Sequence, residues 1–252
     1  MLSPMKPFLL LATRAEDEVA DAEYEAFLRF GGLSAGQLVR VRLESAPLDE
    51  LLPDLDLDRY SGVIVGGSPF TSSDSPEHKS PVQVRVEAEL ERLLGYVVKL
   101  DVPFLGACYG VSTLGRYAGG IIDRTFAEPV GAVPVSLTAE GLADPLLAGL
   151  PQTFPAFVGH KEALRDLPLG AVLLAGSPTC PIQMFRIGEH QYATQFHPEL
   201  DIAGIIKRIH AYQHCGYFHP DEVDTLIHQM STISVTWPAR ILANFTSRYA
   251  TY

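Results

Sequence analysis

The sequence is poor in cysteine. Its three, Cys108, Cys180 and Cys215, lie far apart in a chain of 252 residues. So sparse and odd a set does not make a disulfide framework, and it points to a reducing compartment, read here as the cytoplasm. Long apolar runs are also missing. The stretch 8–12 is too short for a signal-peptide core or a membrane span. Positive charge is scarce, with 19 Lys and Arg against 30 Asp and Glu and a net charge of −11. That balance argues against a nucleic-acid or anionic-membrane surface. There is no internal repeat, low-complexity tract or long linker. Charged residues make up 19% and hydrophobic residues 47% of the chain. Those proportions describe a globular protein able to bury a sizeable core, as one large domain or one domain with an appendage.

What is present first is alternation. Residues 7–13 read as a buried strand, and 16–30 carry Val19, Tyr24, Phe27 and Leu28 at helical spacing before Gly31-Gly32. A second strand is expected at 37–43, a short helix or irregular connection at 48–58, and an apolar strand at 62–65. A long helix opens at Pro81 and runs to about 100. Strand 103–107 and a helix to about 117 follow. This order predicts an α/β fold with a parallel sheet and helices on both faces. After Gly120 short strand-like pieces dominate, at 131–138, 153–160, 171–175, 182–187 and 191–196. They predict a smaller antiparallel hairpin region beside the parallel core. Helical patterns return at 202–214, 221–230 and 237–249. Trp237, Ile241, Leu242 and Phe245 are spaced for packing.

The chemistry centres on Gly106-Ala107-Cys108-Tyr109-Gly110, where an apolar strand ends and a helix begins. A nucleophile on a sharp strand-to-helix turn needs this arrangement, with glycines permitting the turn and the helix N-terminus favouring thiolate. A buried cysteine beside a tight turn is the other reading. The strand at 62–65 ends in Gly66-Gly67-Ser68-Pro69-Phe70. In parallel sheets active sites lie at the carboxyl ends of strands, so Gly67 is expected beside Cys108. The segment Gln195-Phe196-His197-Pro198-Glu199 delivers an imidazole at a strand end, with a carboxylate two residues on. That fits a Cys108, His197, Glu199 triad, although a surface His-Pro-Glu turn would carry the same letters.

The elbow, the glycine pair and the Gln-Phe-His-Pro-Glu segment, in this order over about residues 7–200, resemble the class I glutamine amidotransferases. The likeness is especially to glutaminase domains such as that of GMP synthase and their stand-alone relatives. The resemblance implies a flavodoxin-like core over 1–200, with 201–252 as a helical extension packed on it. It implies that Cys108 attacks the side-chain amide of glutamine, that His197 moves the proton with help from Glu199, and that a γ-glutamyl thioester forms as ammonia leaves. The backbone N–H groups of Gly67 and Tyr109 would hold the oxyanion. No cofactor and no metal are implied.

Ser112 stands four residues after the cysteine, where the family usually carries a glutamine that helps hold substrate. Its shorter hydroxyl opens γ-glutamyl peptides or other amides as an alternative substrate class. The family also usually places proline directly after the glycine pair, where this chain has Ser68. Phe70, Ser112 and His160 are the candidate substrate contacts, His160 having a packing or turn role as its other reading. The substrate is expected to be a small amide. Without a Gly-rich phosphate loop of the kind a synthetase needs, any ammonia-accepting synthase is expected on another chain. A third reading is a regulatory or binding module that keeps the fold without turnover. His210, His214, Cys215 and His219 approach metal-ligand spacing, but structural zinc sites use tighter pairs, and a solvent-facing helix end fits them better. Cys180, just before Pro181, reads as structural.

Overall fold

A computed structural model describes residues 5–252. The first strand, β1 (Phe8–Ala12), is buried along its whole length, as a parallel strand covered on both faces must be. Helix α1 (Asp17–Gly31) follows and stops where Gly32 takes a left-handed φ of 63°. Next come β2 (Leu38–Arg42), the short α2 (Leu48–Leu51) and β3 (Gly62–Val65). Helix α3 (Pro81–Lys99) starts with Pro81 in its first turn, and the Ser80 hydroxyl accepts the Gln83 N–H at 3.1 Å. Strand β4 (Phe104–Ala107) and α4 (Tyr109–Tyr117) complete the parallel half.

The second half contains β5 (Ile121–Asp123), β6 (Glu128–Leu137), α5 (Ala139–Ala143), β7 (Thr153–His160) and β8 (Ala163–Asp166). It continues through β9 (Val172–Gly176), β10 (Met184–Ile187) and β11 (Gln191–Thr194). Helices α6 (Ile202–Ala211), α7 (Val223–Ser231) and α8 (Ala239–Tyr249) end the chain.

Nine strands form one sheet in the order β2-β1-β3-β4-β11-β10-β9-β6-β7. The first five are parallel and the rest antiparallel. The hairpins therefore extend the parallel sheet itself. β4 would otherwise present an open row of backbone groups, and β11 satisfies them while bringing its own hairpin partners. The small pair β5–β8 falls on residues for which the sequence predicts no strand, because three partly exposed residues leave no period to read.

Alternate residues of β1 serve two cores. Phe8 and Leu10 pack with Phe27 of α1 and with Ile241, Leu242 and Phe245 of α8. Leu9 and Leu11 pack with Val86 and Leu93 of α3 and Val111 and Leu114 of α4. The C-terminal helix thus covers one face of the sheet, with the Phe245 ring 5.7 Å from that of Phe8. Trp237 does not join it. It precedes the first turn of α8 and is 43% exposed, so only the residues inside the helix carry the packing. A third cluster joins Phe157 to Ile205 and Ile209 of α6 and Met230 of α7. No helix among the described residues is long and apolar enough to cross a membrane.

Candidate active site

Strand order brings three distant segments together. β3, β4 and β11 are parallel neighbours, with Val65 opposite Gly106 and Thr194 opposite Ala107. Their carboxyl ends therefore release Gly66-Gly67, Cys108 and His197 along one stretch of the sheet edge, as expected for an open α/β sheet. The Cys108 N–H donates to the Thr194 carbonyl at 2.7 Å, and the His197 N–H to the Phe157 carbonyl at 3.0 Å. Cys108 and His197 line the same cavity.

The elbow depends on a close backbone approach. A Cβ on Gly106 would lie 2.7 Å from the Cα of Gly110, so only glycine lets the strand meet the helix there. Cys108 itself sits at φ 53°, ψ −86°, a conformation that L-residues rarely adopt and that clusters at functional sites. Gly106→Ala is expected to cost about 3 kcal/mol through overpacking. It should also expose Cys108 to thiol reagents. A denaturant melt with thiol labelling under native conditions checks both.

Cys108 is partly exposed at the cavity floor. Burial pushes its thiol up to about 12, opposed chiefly by the Arg14 guanidinium and less by Arg208. Burial therefore acts against the helix N-terminus, which by itself favours thiolate. The N–H groups of Gly67 and Tyr109 make no backbone hydrogen bond among the described residues. The Gly67 carbonyl accepts from the Thr13 hydroxyl at 3.4 Å, which restrains that loop.

His197 Nδ1 lies 2.8 Å from Glu199 Oε1 and 2.9 Å from Arg208 Nη1. The two contacts require opposite tautomers. With a hydrogen on Nδ1 the ring donates to Glu199 and keeps Nε2 free to take a thiol proton. With Nδ1 accepting from Arg208, Nε2 carries the hydrogen and cannot act as base. Burial lowers the His197 pKa. Glu199 raises it, and Arg208 and Arg14 lower it further. Glu199 is fully buried, and although burial alone would raise its pKa, His197 and Arg208 hold the carboxyl well below the usual carboxylate range.

These groups belong to a buried ionic network that the sequence does not announce. Arg208 Nη2 donates to Glu199 Oε1 at 2.8 Å and to Glu23 Oε1 at 3.0 Å. Glu23 Oε1 also accepts from Arg14 Nε at 2.9 Å, and Arg14 Nη1 donates to the Tyr212 hydroxyl at 2.9 Å. Arg14 stands two residues after β1, so its place on the carboxyl edge is the one signal that could have found it.

A second cavity meets Cys108 on its other side, lined by Phe70, Tyr109, Ser112, His160, Glu162 and Gln195 among others. Phe70 packs edge-on against Tyr109, ring centroids 6.1 Å apart. Ser112 is buried and donates to Glu162 Oε1 at 2.7 Å. The Glu162 carboxylate also accepts the N–H groups of Ser72 at 2.9 Å and Ser73 at 2.7 Å. His160 borders this cavity with both ring nitrogens engaged, Nδ1 on the Glu162 carbonyl at 2.9 Å and Nε2 on Glu128 at 2.8 Å. Glu128, His160 and Cys180 come close enough to share an ion. Glu128 is already used by His160, Thr179 and Gln183. His210, His214, Cys215 and His219 do not converge on one point among the described residues, and His219 caps the turn after it by accepting the Asp221 N–H.

Comparison with known proteins agrees with this architecture. The model of the family "Glutamine amidotransferase class-I" matches residues 21–204. The "GMP synthase [glutamine-hydrolyzing]" of Porphyromonas gingivalis is 33% identical over 150 residues, 59% of this chain and 26% of that protein. The enzyme of the same name from Aeropyrum pernix is 28% identical over 178 residues, 68% of this chain and 32% of its own length. The chain thus spans about a quarter to a third of these curated relatives. Among solved structures, a glutamine amidotransferase of Thermotoga maritima superposes with a TM-score of 0.70 at 21% identity, covering 97% of this chain and 98% of that one. The match to the family model takes in the elbow and the His-Pro-Glu segment, and the chain belongs to the class-I glutamine amidotransferases.

Proposed function

We propose that the protein hydrolyses a carboxamide through a thioester on Cys108, with glutamine-type amides as substrates. The observation that supports this most is the shared cavity of Cys108 and His197 beside two unpaired N–H groups. In the ground state the pair is neutral, thiol and imidazole. His197 Nε2 takes the proton as sulfur attacks the amide carbon, and Glu199 stabilises the imidazolium through Nδ1–H. The N–H groups of Gly67 and Tyr109 donate to the developing oxyanion, each such donor contributing about 10²–10³ in rate. His197 then returns the proton to the leaving nitrogen. Water attacks the thioester, and the acid and the thiol are released. If ammonia is the product, a synthase on another chain is its expected acceptor.

A glutamine-like electrophile should label Cys108, read as the mass of the peptide that contains it. Glutamate should appear in step with ammonia. Labelling of Cys215 or Cys180 in place of Cys108 contradicts the proposal.

The pH profile is a separate check. His197 must be neutral to act as base, and its lowered pKa keeps it neutral to lower pH. We expect kcat/KM to hold as the pH falls through about 6.5, the ordinary imidazole value, and to decline only below it. The thiol lies near 12, so no alkaline limb should appear by about pH 9. An acid limb at neutral pH would contradict the assignment.

A further inference from the structure

We infer that the substrate is a secondary amide whose leaving amine carries an apolar group, and that this group sits in the cavity on the His197 side of Cys108. The inference rests on the cysteine-hydrolase reading above.

The two cavities meeting at Cys108 differ in character. The one without His197 presents acceptors. Glu162 is a buried carboxylate held in place by Ser72, Ser73 and Ser112. Gln195 Oε1 is buried with no hydrogen-bond partner. Both groups line this cavity, and the unpaired Gln195 oxygen calls for a donor from the ligand, which an ammonium on the acyl half supplies. The acyl half of a γ-glutamyl group carries one.

The other cavity contains His197, which protonates the leaving nitrogen, so the amine departs on that side. One part of its wall is apolar, formed by Val130, Val158, Leu200, Ile205, Ile209 and Phe218, while Arg14, Arg208, Tyr212 and Tyr217 line the rest beside Cys108 and His197. The cavity volume is about 40 Å³, and the cavity opens to solvent at its mouth. Ammonia has no use for such walls, whereas an alkyl or aryl substituent on nitrogen would be removed from water there. The outer wall is fixed. Lys161 Nζ donates to the Cys215 carbonyl at 2.6 Å and lies over the Tyr217 ring at 4.4 Å. Much of this wall lies beyond residue 204, where the family match ends.

The step balances as hydrolysis. Sulfur bonds to the acyl carbon, the C–N bond breaks, and the amine leaves with the proton held by His197. Water oxygen then bonds to that carbon, the C–S bond breaks, and a carboxylate and the thiol result.

The test compares glutamine, γ-glutamylglycine and γ-glutamyl benzylamide on the full chain. The benzylamide is expected to exceed glutamine in kcat/KM by about tenfold or more, the discrimination a few buried carbons supply. Phe218→Ala should lower the benzylamide-to-glutamine ratio about tenfold, while Phe218→Leu, which keeps an apolar wall, should hold it within about threefold. Glutamine equal to or better than the benzylamide overturns the inference and leaves the cysteine mechanism standing. A ratio unmoved in Phe218→Ala overturns it as well. No turnover of any amide and no adduct at Cys108 would overturn the mechanism itself, and the inference with it.

Discussion

Replacing Cys108 by alanine is expected to lower amide hydrolysis by about 10⁴ or more, because loss of the nucleophile removes the covalent route entirely. Residual rate would come from the N–H groups of Gly67 and Tyr109 acting on bound substrate, which still favour an attacking water. The fold should tolerate the change. Cys108 is partly exposed, and alanine bears the same Cβ at φ 53° that cysteine already bears. A thermal melt within about 2 °C of the parent, small on the scale of a 1 kcal/mol change, would separate lost chemistry from lost structure. The exposed Cys215 provides the control. It should react with general thiol reagents in both proteins, whereas a glutamine-like electrophile should lose its target in Cys108→Ala. Equal hydrolysis by the two proteins would defeat the mechanism.

Local pattern carries the half of the site that strand ends define. Gly66-Gly67, the elbow and the His-Pro-Glu segment are each written in adjacent letters, and a parallel sheet collects such ends on one edge. The neighbour relation of β4 and β11 is not written anywhere, since the whole of 108–190 separates them, and the sequence places the hairpins between beside the sheet and not within it. Side chains that reach the site from afar are equally silent. Glu23 lies on a helix face that reads as ordinary amphipathic surface, yet it is 2% exposed and bonded to two arginines. Glu162 sits in a turn with no motif of its own. The surroundings of the Cys108 sulfur are equally silent, because the local helix N-terminus argues for thiolate while desolvation in the folded cavity pushes the thiol pKa up. Trp237 differs from its sequence reading for a simpler reason: the helical spacing continues two residues outside the helix.

Arg208 offers the other large effect, on stability and chemistry together. It joins Glu23, Glu199 and His197, all buried. Arg208→Met keeps the stem and removes the charge, leaving Glu199 with His197 alone and Glu23 with Arg14 alone. Breaking one side of a buried ionic network costs about 3–5 kcal/mol, since the surviving charges keep their desolvation without their partner. Urea unfolding at neutral pH should show that loss. It should shrink in acid, and the sign follows from Glu199. Its carboxyl pKa is depressed in the folded protein, so its contribution is present above the unfolded value and fades as the pH falls toward the folded one. The catalytic readout is independent of stability. Arg208 lowers the His197 pKa, so its removal should raise the acid limb of kcat/KM toward or above about 6.5, the ordinary imidazole value. It should also free Nδ1 for Glu199, favouring the tautomer in which Nε2 can take the thiol proton. Arg208 is on this account a positioning residue that trades base strength for a neutral imidazole. Arg208→Lys, which restores charge without the planar fork, should recover part of the stability but not the original pH limb. A pH profile unchanged in Arg208→Met would show that the contact to Nδ1 has no hold on the proton.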